Sequence, residues 1–409
     1  MTPIFRADQV GSLLRPASLL DIRTKHQVTD SYAAITTSEE VSRATSDAVA
    51  AAVRHQLDQS IYPVTTGELE RSIFYGGFFE TLEGLTTRPA LPIPSAFRRN
   101  LPSVARLQEA GVQTRPGVVA TGPIRWTRPA YGDSWALLKR SVPDESYLPK
   151  CKITIPSPTY QHMQLRPGTA YTAESGYASD EAYFVDLAAA YRAELKSLYD
   201  AGCRNVQVDD PNMTFFVMDS FLAGCREEGG AEAADELMEQ YIRVHNACIA
   251  ERPRDLHVGV HLCRGNMWSG VVEGGIGAGS YERIADRMLR GLDYDSFYLE
   301  YDDERSGDFA PLRFLPRDKR VVLGLVSTKR AALEDLDHLV KRVHEAAGVI
   351  AKAQGRTVDE VLRDNLAVSP QCGFASQSQG GGVGMTEARQ WEKLALVRDL
   401  ARKIWTDAA

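Results

Sequence analysis

Short apolar runs rich in β-branched residues recur along the chain, and longer stretches with helical spacing separate them. The runs fall at 61–66, 117–121, 152–155, 205–208, 257–261, 297–299, 321–326 and 366–368. Segment 38–59 carries Val41, Ala44, Ala48 and Val49 at helical spacing, and 180–200, 231–250, 333–353 and 386–405 also read as helices. Strand and helix in alternation is the pattern of parallel βα units, and eight runs is the number of a (β/α)8 barrel. An open doubly wound sheet would alternate in the same way. The polar clusters favour the barrel, because each falls directly after a run: TGE at 66–68, VDDP at 208–211, HLCRGN at 261–266, LEYDDE at 299–304 and SPQCG at 369–373. In a barrel those strand ends share one face, where catalysis sits.

The expectation is therefore an α/β chain folded as one TIM barrel over 1–409. Segment 85–115, with prolines at 89, 92, 94 and 102, and segment 127–149 are expected to be insertions over the C-terminal mouth. Gly380, Gly381 and Gly382 read as a mobile loop.

Composition narrows the class. With 409 residues, 44% of them apolar and 25% charged, the chain can bury a substantial core. A net charge of -7 without a basic, aromatic-laced cluster speaks against nucleic acid as a partner. No run of about 18 apolar residues offers a membrane span. Arg6 and Asp8 stand where a secretory segment needs apolar residues, so a cytoplasmic location is expected. The cysteines at 151, 203, 225, 248, 263 and 372 lie far apart and read as reduced thiols rather than a disulfide framework.

Two of those thiols suggest chemistry. His261 and Cys263 stand two residues apart at a strand end, so their side chains point the same way. Glu300 and Cys372 follow the sixth and eighth runs, and imidazole, thiolate and carboxylate together suit zinc. An H-x-C pair alone is more often core or loop; Glu300 could pair with Arg305, and Cys372 could be a small buried hydrophobe. Convergence of three strand ends favours the metal. Lys329, after the seventh run, could bind a carboxylate or sulfonate or act as an acid, with a structural ion pair as the competing reading. Asp302, Asp303 and Glu304 receive no role, because solvated loop carboxylates are commoner than metal-orienting ones. Trp126, Trp268 and Phe374 could stack on a flat donor, although packing is the commoner fate of such residues.

Taken in order, QVGSLLRP, TTGELERS, VQVDDP, HLCRGN, LEYDDERSGDF, VVLGLVSTK and SPQCGF resemble the catalytic domain of cobalamin-independent methionine synthase, and its short single-barrel relatives in particular. The resemblance covers nearly the whole chain. It implies a barrel like that of the synthases and the related uroporphyrinogen decarboxylases. It also implies one zinc on His261, Cys263, Glu300 and Cys372, with the amino acid part of homocysteine held by Ser12, Glu68 and Asp209. Without it, Glu68 would be read as a partner of Arg71, Asp209 as a turn cap before Pro211 and Ser12 as a helix cap.

The implied reaction is methyl transfer to homocysteine, giving methionine, with methyltetrahydrofolate as the simplest donor. Two departures bear on that donor. The acidic residue after the family's D-E-P-A segment has no counterpart in DDPNMTFF, and the catalytic histidine after strand seven is replaced within LVSTK. Transfer from a methyl-corrinoid protein, or epoxide opening by a thiol such as coenzyme M, are the alternatives. Ser12, Glu68 and Asp209 favour an amino acid thiol over a sulfonate thiol, with Arg15, Arg264 and Lys329 as the counterweight. A purely structural zinc, or a metal-free barrel of the decarboxylase kind, are the competing classes.

Overall fold

The computed structural model describes residues 5–28, 38–265, 278–378 and 380–406. Among the described residues there are eight strands: β1 (Glu83–Pro92), β2 (Thr114–Arg125), β3 (Ile153–Pro156), β4 (Asn205–Asp209), β5 (His257–Leu262), β6 (Ser296–Glu300), β7 (Arg320–Val326) and β8 (Leu366–Pro370). Strands β3 to β8 form one parallel sheet in sequence order. All but the first residues of β5 and β7 are buried along these six strands, as expected where helices cover one face of a sheet and side chains fill the other.

Two short segments extend the sheet at its edges. Ala7 bridges Val368 of β8 in parallel, with Asp8 N donating to Val368 O at 2.7 Å. Val64 bridges Cys151 in parallel just before β3, with Val64 N donating to Lys150 O at 2.8 Å. Hydrogen bonds then join the two segments: Gln9 Nε2 donates to Pro63 O at 2.7 Å, Thr65 Oγ1 to Gly11 O at 2.9 Å and Leu13 N to Gly67 O at 2.9 Å. The architecture is the expected TIM-barrel class, with helices such as Glu39–Asp58, Asp180–Asp200, Ala233–Ile249, Leu336–Gln354 and Glu387–Ile404 between the strands.

Two assignments need correction. Run 117–121 is not a barrel strand; it lies in β2, which pairs antiparallel with β1. Val118, Val119 and Ala120 are all buried, so the run has the continuous apolar character of a central strand. That burial comes from a third segment: Ala120 N donates to Ala170 O and Thr172 N to Ala120 O, both at 2.9 Å. Within 85–115 the hairpin also bridges Phe97 to Leu165, beyond the C-terminal end of β3, in agreement with an insertion at that end. Segment 127–149 instead supplies helix Gly132–Ser141, which packs on Glu39–Asp58 and Asp180–Asp200 with Trp135 and Leu138 buried. It belongs to the outer helical layer. The glycine run at 380–382 packs on the end of the β7 loop, where a Cβ at Gly382 would lie 2.1 Å from Thr328 O.

Candidate metal centre

His261 is the fifth residue of β5, and Cys263 follows the strand by one position. Glu300 ends β6, and Cys372 lies two residues past β8. Because β5 and β6 are neighbours, their ends bring three donors together, and the turn after β8 supplies the fourth. The ligand atoms of His261, Cys263, Glu300 and Cys372 all lie within 4.8 Å of one another, and all four residues are buried.

The donor set fits a zinc ion. Zinc bonds of about 2.0–2.3 Å imply tetrahedral edges of roughly 3.3–3.8 Å, a spacing this cluster can meet with small side-chain adjustments. The Cys263 and Cys372 sulfurs are 3.3 Å apart, and that contact together with burial pushes the Cys372 thiol far above its usual range. Neither ring nitrogen of His261 has a hydrogen-bond partner, and burial lowers its pKa to about 3, leaving a neutral imidazole. A buried imidazole without partners is costly unless something else takes its lone pair. Glu300 Oε1 accepts from Arg264 N at 2.6 Å, and Oε2 lies 3.5 Å from Arg305 and 3.9 Å from Lys329. Burial raises the Glu300 pKa, with Lys329 opposing.

Ser12, Glu68 and Asp209 lie on this face of the barrel as well. The chain turns through left-handed conformations at Gly67 and Glu68, φ 71° and 55°, a costly geometry for a glutamate that aims its side chain inward. Glu68 Oε1 accepts from Thr154 Oγ1 at 2.6 Å, while its buried Oε2 has no partner. The plain reading of Glu68 holds only loosely, since Arg71 stands 4.0 Å away and spends its hydrogen bonds on Thr154 and Phe74. Asp209 ends β4 and accepts from Gln207 Nε2 at 2.6 Å. Burial and the Glu68 charge hold its carboxyl well above the usual carboxylate range. Ser12 touches the loop that carries Cys372: a Cβ on Gly373 would lie 1.9 Å from Ser12 Oγ, and Phe374 N donates to Ser12 O at 2.9 Å.

The basic residues near the site are committed to protein partners. Arg15 donates to the carbonyls of Leu13, Ala375, Glu68 and Arg71, tying the Glu68 turn to the loop after β8. Arg264 donates to Gly279 O and lies 4.0 Å from the Tyr281 ring centroid. Lys329 pairs with Asp302 at 3.0 Å and Asp303 at 3.1 Å, the ion-pair alternative weighed for it, and those two carboxylates acquire a structural role that the sequence did not suggest. Of the aromatic candidates, Phe374 is buried in the core and Trp126 donates to the buried Glu194 at 2.7 Å; Trp268 lies outside the described residues.

Sequence reasoning missed Thr154 and Lys152. Lys152 Nζ donates to Asp8 Oδ1 at 2.8 Å and to Gln207 Oε1 at 2.7 Å, and it shares Asp8 with the Tyr298 hydroxyl. It thereby braces the Gln207 that holds Asp209. The available signal was a lysine opening an otherwise apolar strand, KITIP.

Comparison with known proteins identifies the family. The pattern of the cobalamin-independent synthase catalytic domain matches residues 168–388, more than half of the chain. Two Bacillus subtilis relatives, the uncharacterized proteins YxjH and YxjG, are each 34% identical over 98% of this chain and 95% of their own. The chain belongs to the cobalamin-independent methionine synthase family. Among family structures, a Listeria monocytogenes protein provisionally named a vitamin-B12 independent methionine synthase is 28% identical, with a TM-score of 0.69 over 99% of both chains. The B12-independent methionine synthase of Shewanella sp. W3-18-1, solved with selenomethionine, shares the fold at 17% identity and a TM-score of 0.66 over 98% of both chains. Family membership makes the protein a methionine-synthase-like methyltransferase.

Proposed function

We propose that the protein is a zinc-dependent thiol methyltransferase that converts homocysteine to methionine, taking the methyl group from 5-methyltetrahydrofolate or another carrier. One observation carries the reading: four buried zinc-type donors within 4.8 Å of one another, on the face that also holds the paired carboxylates Glu68 and Asp209. When bound, zinc supplies a Lewis acid that keeps a substrate thiol deprotonated at neutral pH. His261, Cys263, Glu300 and Cys372 would hold it, and two thiolates in the set suit a nucleophilic sulfur better than a hydrolytic water.

The remaining residues fit an amino acid. Glu68 offers an unpartnered buried oxygen, and Asp209 resists ionisation beside it, so a substrate ammonium would relieve both. The Ser12 hydroxyl, beside Gly373, stands ready for the carboxylate. A sulfonate thiol would call for an available cation, and Arg15 and Lys329 are already engaged with carbonyls and carboxylates. Lys329 in ion pairs where the family carries its histidine favours a second reading of the donor: a methyl-corrinoid protein rather than folate.

Zinc-loaded protein incubated with homocysteine or coenzyme M, each with methyltetrahydrofolate, methylcobalamin or a small epoxide, separates these readings by mass spectrometry of the thioethers. Methionine is the expected product, and the donor that yields it settles the second question. Alkylated coenzyme M without methionine would refute the homocysteine assignment.

A further inference from the structure

The four candidate ligands are not alike in their surroundings. The His261 ring nitrogens have no hydrogen-bond partner, the two cysteine sulfurs meet each other, and Cys263 Sγ also accepts from Gly265 N. Of the four, Glu300 is the one in ion pairs among the described residues, with Arg305 at 3.5 Å and Lys329 at 3.9 Å from Oε2, while Oε1 takes the Arg264 amide. We propose that Lys329, assisted by Arg305, is a positioning residue that draws the Glu300 carboxylate away from the metal and makes it the exchangeable ligand. The consequence for thiol entry rests on the methyltransferase reading above; the effect on metal affinity does not.

Both cations are in place whether or not Glu300 moves. Asp302 and Asp303 hold the Lys329 ammonium, and Asp303 also binds the Arg305 guanidinium at 3.0 Å. The Lys329 backbone is fixed from the other side, where Val383 N donates to Lys329 O at 2.9 Å and Gly382 packs too closely to admit a Cβ. A glutamate leaving a metal in this buried setting would otherwise become an unpaired charge, which is strongly unfavourable. Cations already fixed beside Oε2 remove that penalty without rearrangement, and they compete with the metal for the carboxylate at all times. Lys329 therefore weakens the resting metal site and eases entry of a fourth ligand.

This sign is opposite to that of an ordinary supporting partner, whose loss weakens metal binding by roughly 10–100-fold. Zinc affinity of the full chain, measured by competition with a chromophoric chelator, should rise about tenfold in Lys329→Gln, and in the same direction in Arg305→Gln, an effect of the size known for outer partners. Both gains should vanish in a Glu300→Gln background, and Lys329→Arg should resemble the parent. In the cobalt(II)-substituted protein, Lys329→Gln should need more homocysteine than the parent for the same change in visible spectrum. Unchanged or weaker zinc binding in Lys329→Gln and Arg305→Gln, or a gain that persists without Glu300, would overturn the proposal. A parent protein that binds cobalt but shows no spectral response to homocysteine would refute the thiol reading, and the zinc comparison would still decide the role of Lys329.

Discussion

Ser12 and Gly373 meet so closely that a side chain at 373 would displace the Ser12 hydroxyl. An alanine at 373 would place its Cβ 1.9 Å from Ser12 Oγ, so the hydroxyl must swing away. The expected outcome for Gly373→Ala is a folded protein with a homocysteine KM raised about tenfold, the effect of losing one hydrogen bond to a charged group; steady-state kinetics alongside circular dichroism would check it. The sulfurs at 3.3 Å make a second prediction. With the metal removed, peroxide should oxidise Cys263 and Cys372 to a disulfide, the peroxide being reduced to water. Thiol titration in denaturant should then find two of the six cysteines lost, whereas zinc-loaded protein keeps all six. The four clustered donors were legible in sequence because each ends an apolar run or follows one within four residues. Thr154 was not, since it lies within a strand whose inward face the pattern marks only as core, and Lys152, just before that strand, was passed over as its opening residue.

At the scale of elements, a buried histidine ties the segment after β3 to the helical layer. His162 Nδ1 receives the Tyr241 hydroxyl at 2.8 Å, and Nε2 lies 3.1 Å from Asp180. Burial lowers its pKa more than Asp180 raises it, so the folded protein keeps the ring neutral. The unfolded chain takes up that proton near pH ~6.5, so the stability it contributes is full above that value and lost as pH falls through it. Between pH 7.5 and 5.5, His162→Gln should lose less melting temperature than the parent, as followed by differential scanning fluorimetry; an equal loss in both would remove His162 from the account. Six strands were readable from apolar runs to within two residues at either end. The edge segment around Ala7 was not, because FRADQV carries Arg6, Asp8 and Gln9, whose polar groups are satisfied inside: Arg6 by the carbonyls of Leu362 and Leu366, Asp8 by Lys152, Gln9 by Gln56. Run 117–121 misled for the converse reason, an antiparallel strand buried by a neighbour far along the chain.

For the whole molecule, a metal joining β5, β6 and the turn after β8 couples binding to folding. Free zinc at about 100 times its dissociation constant should add about 2.7 kcal/mol of stability, provided the unfolded chain binds it weakly. Chelation should lower the melting temperature accordingly, and Cys263→Ala should abolish the difference. None of the described helices is long and apolar enough to cross a membrane. The alternation of strand and helix made the barrel class readable at this scale, while the antiparallel hairpin β1–β2 was hidden, since it departs from that alternation.

The site is expected to hold zinc and to present it to a substrate thiol. X-ray absorption at the zinc edge, recorded on the loaded protein before and after homocysteine, tests it most directly. Two sulfur ligands are expected at rest, from Cys263 and Cys372, and a third on adding homocysteine, as a nitrogen or oxygen ligand is lost. A sulfur count that stays at two with homocysteine present, or a protein that retains no zinc, would contradict it.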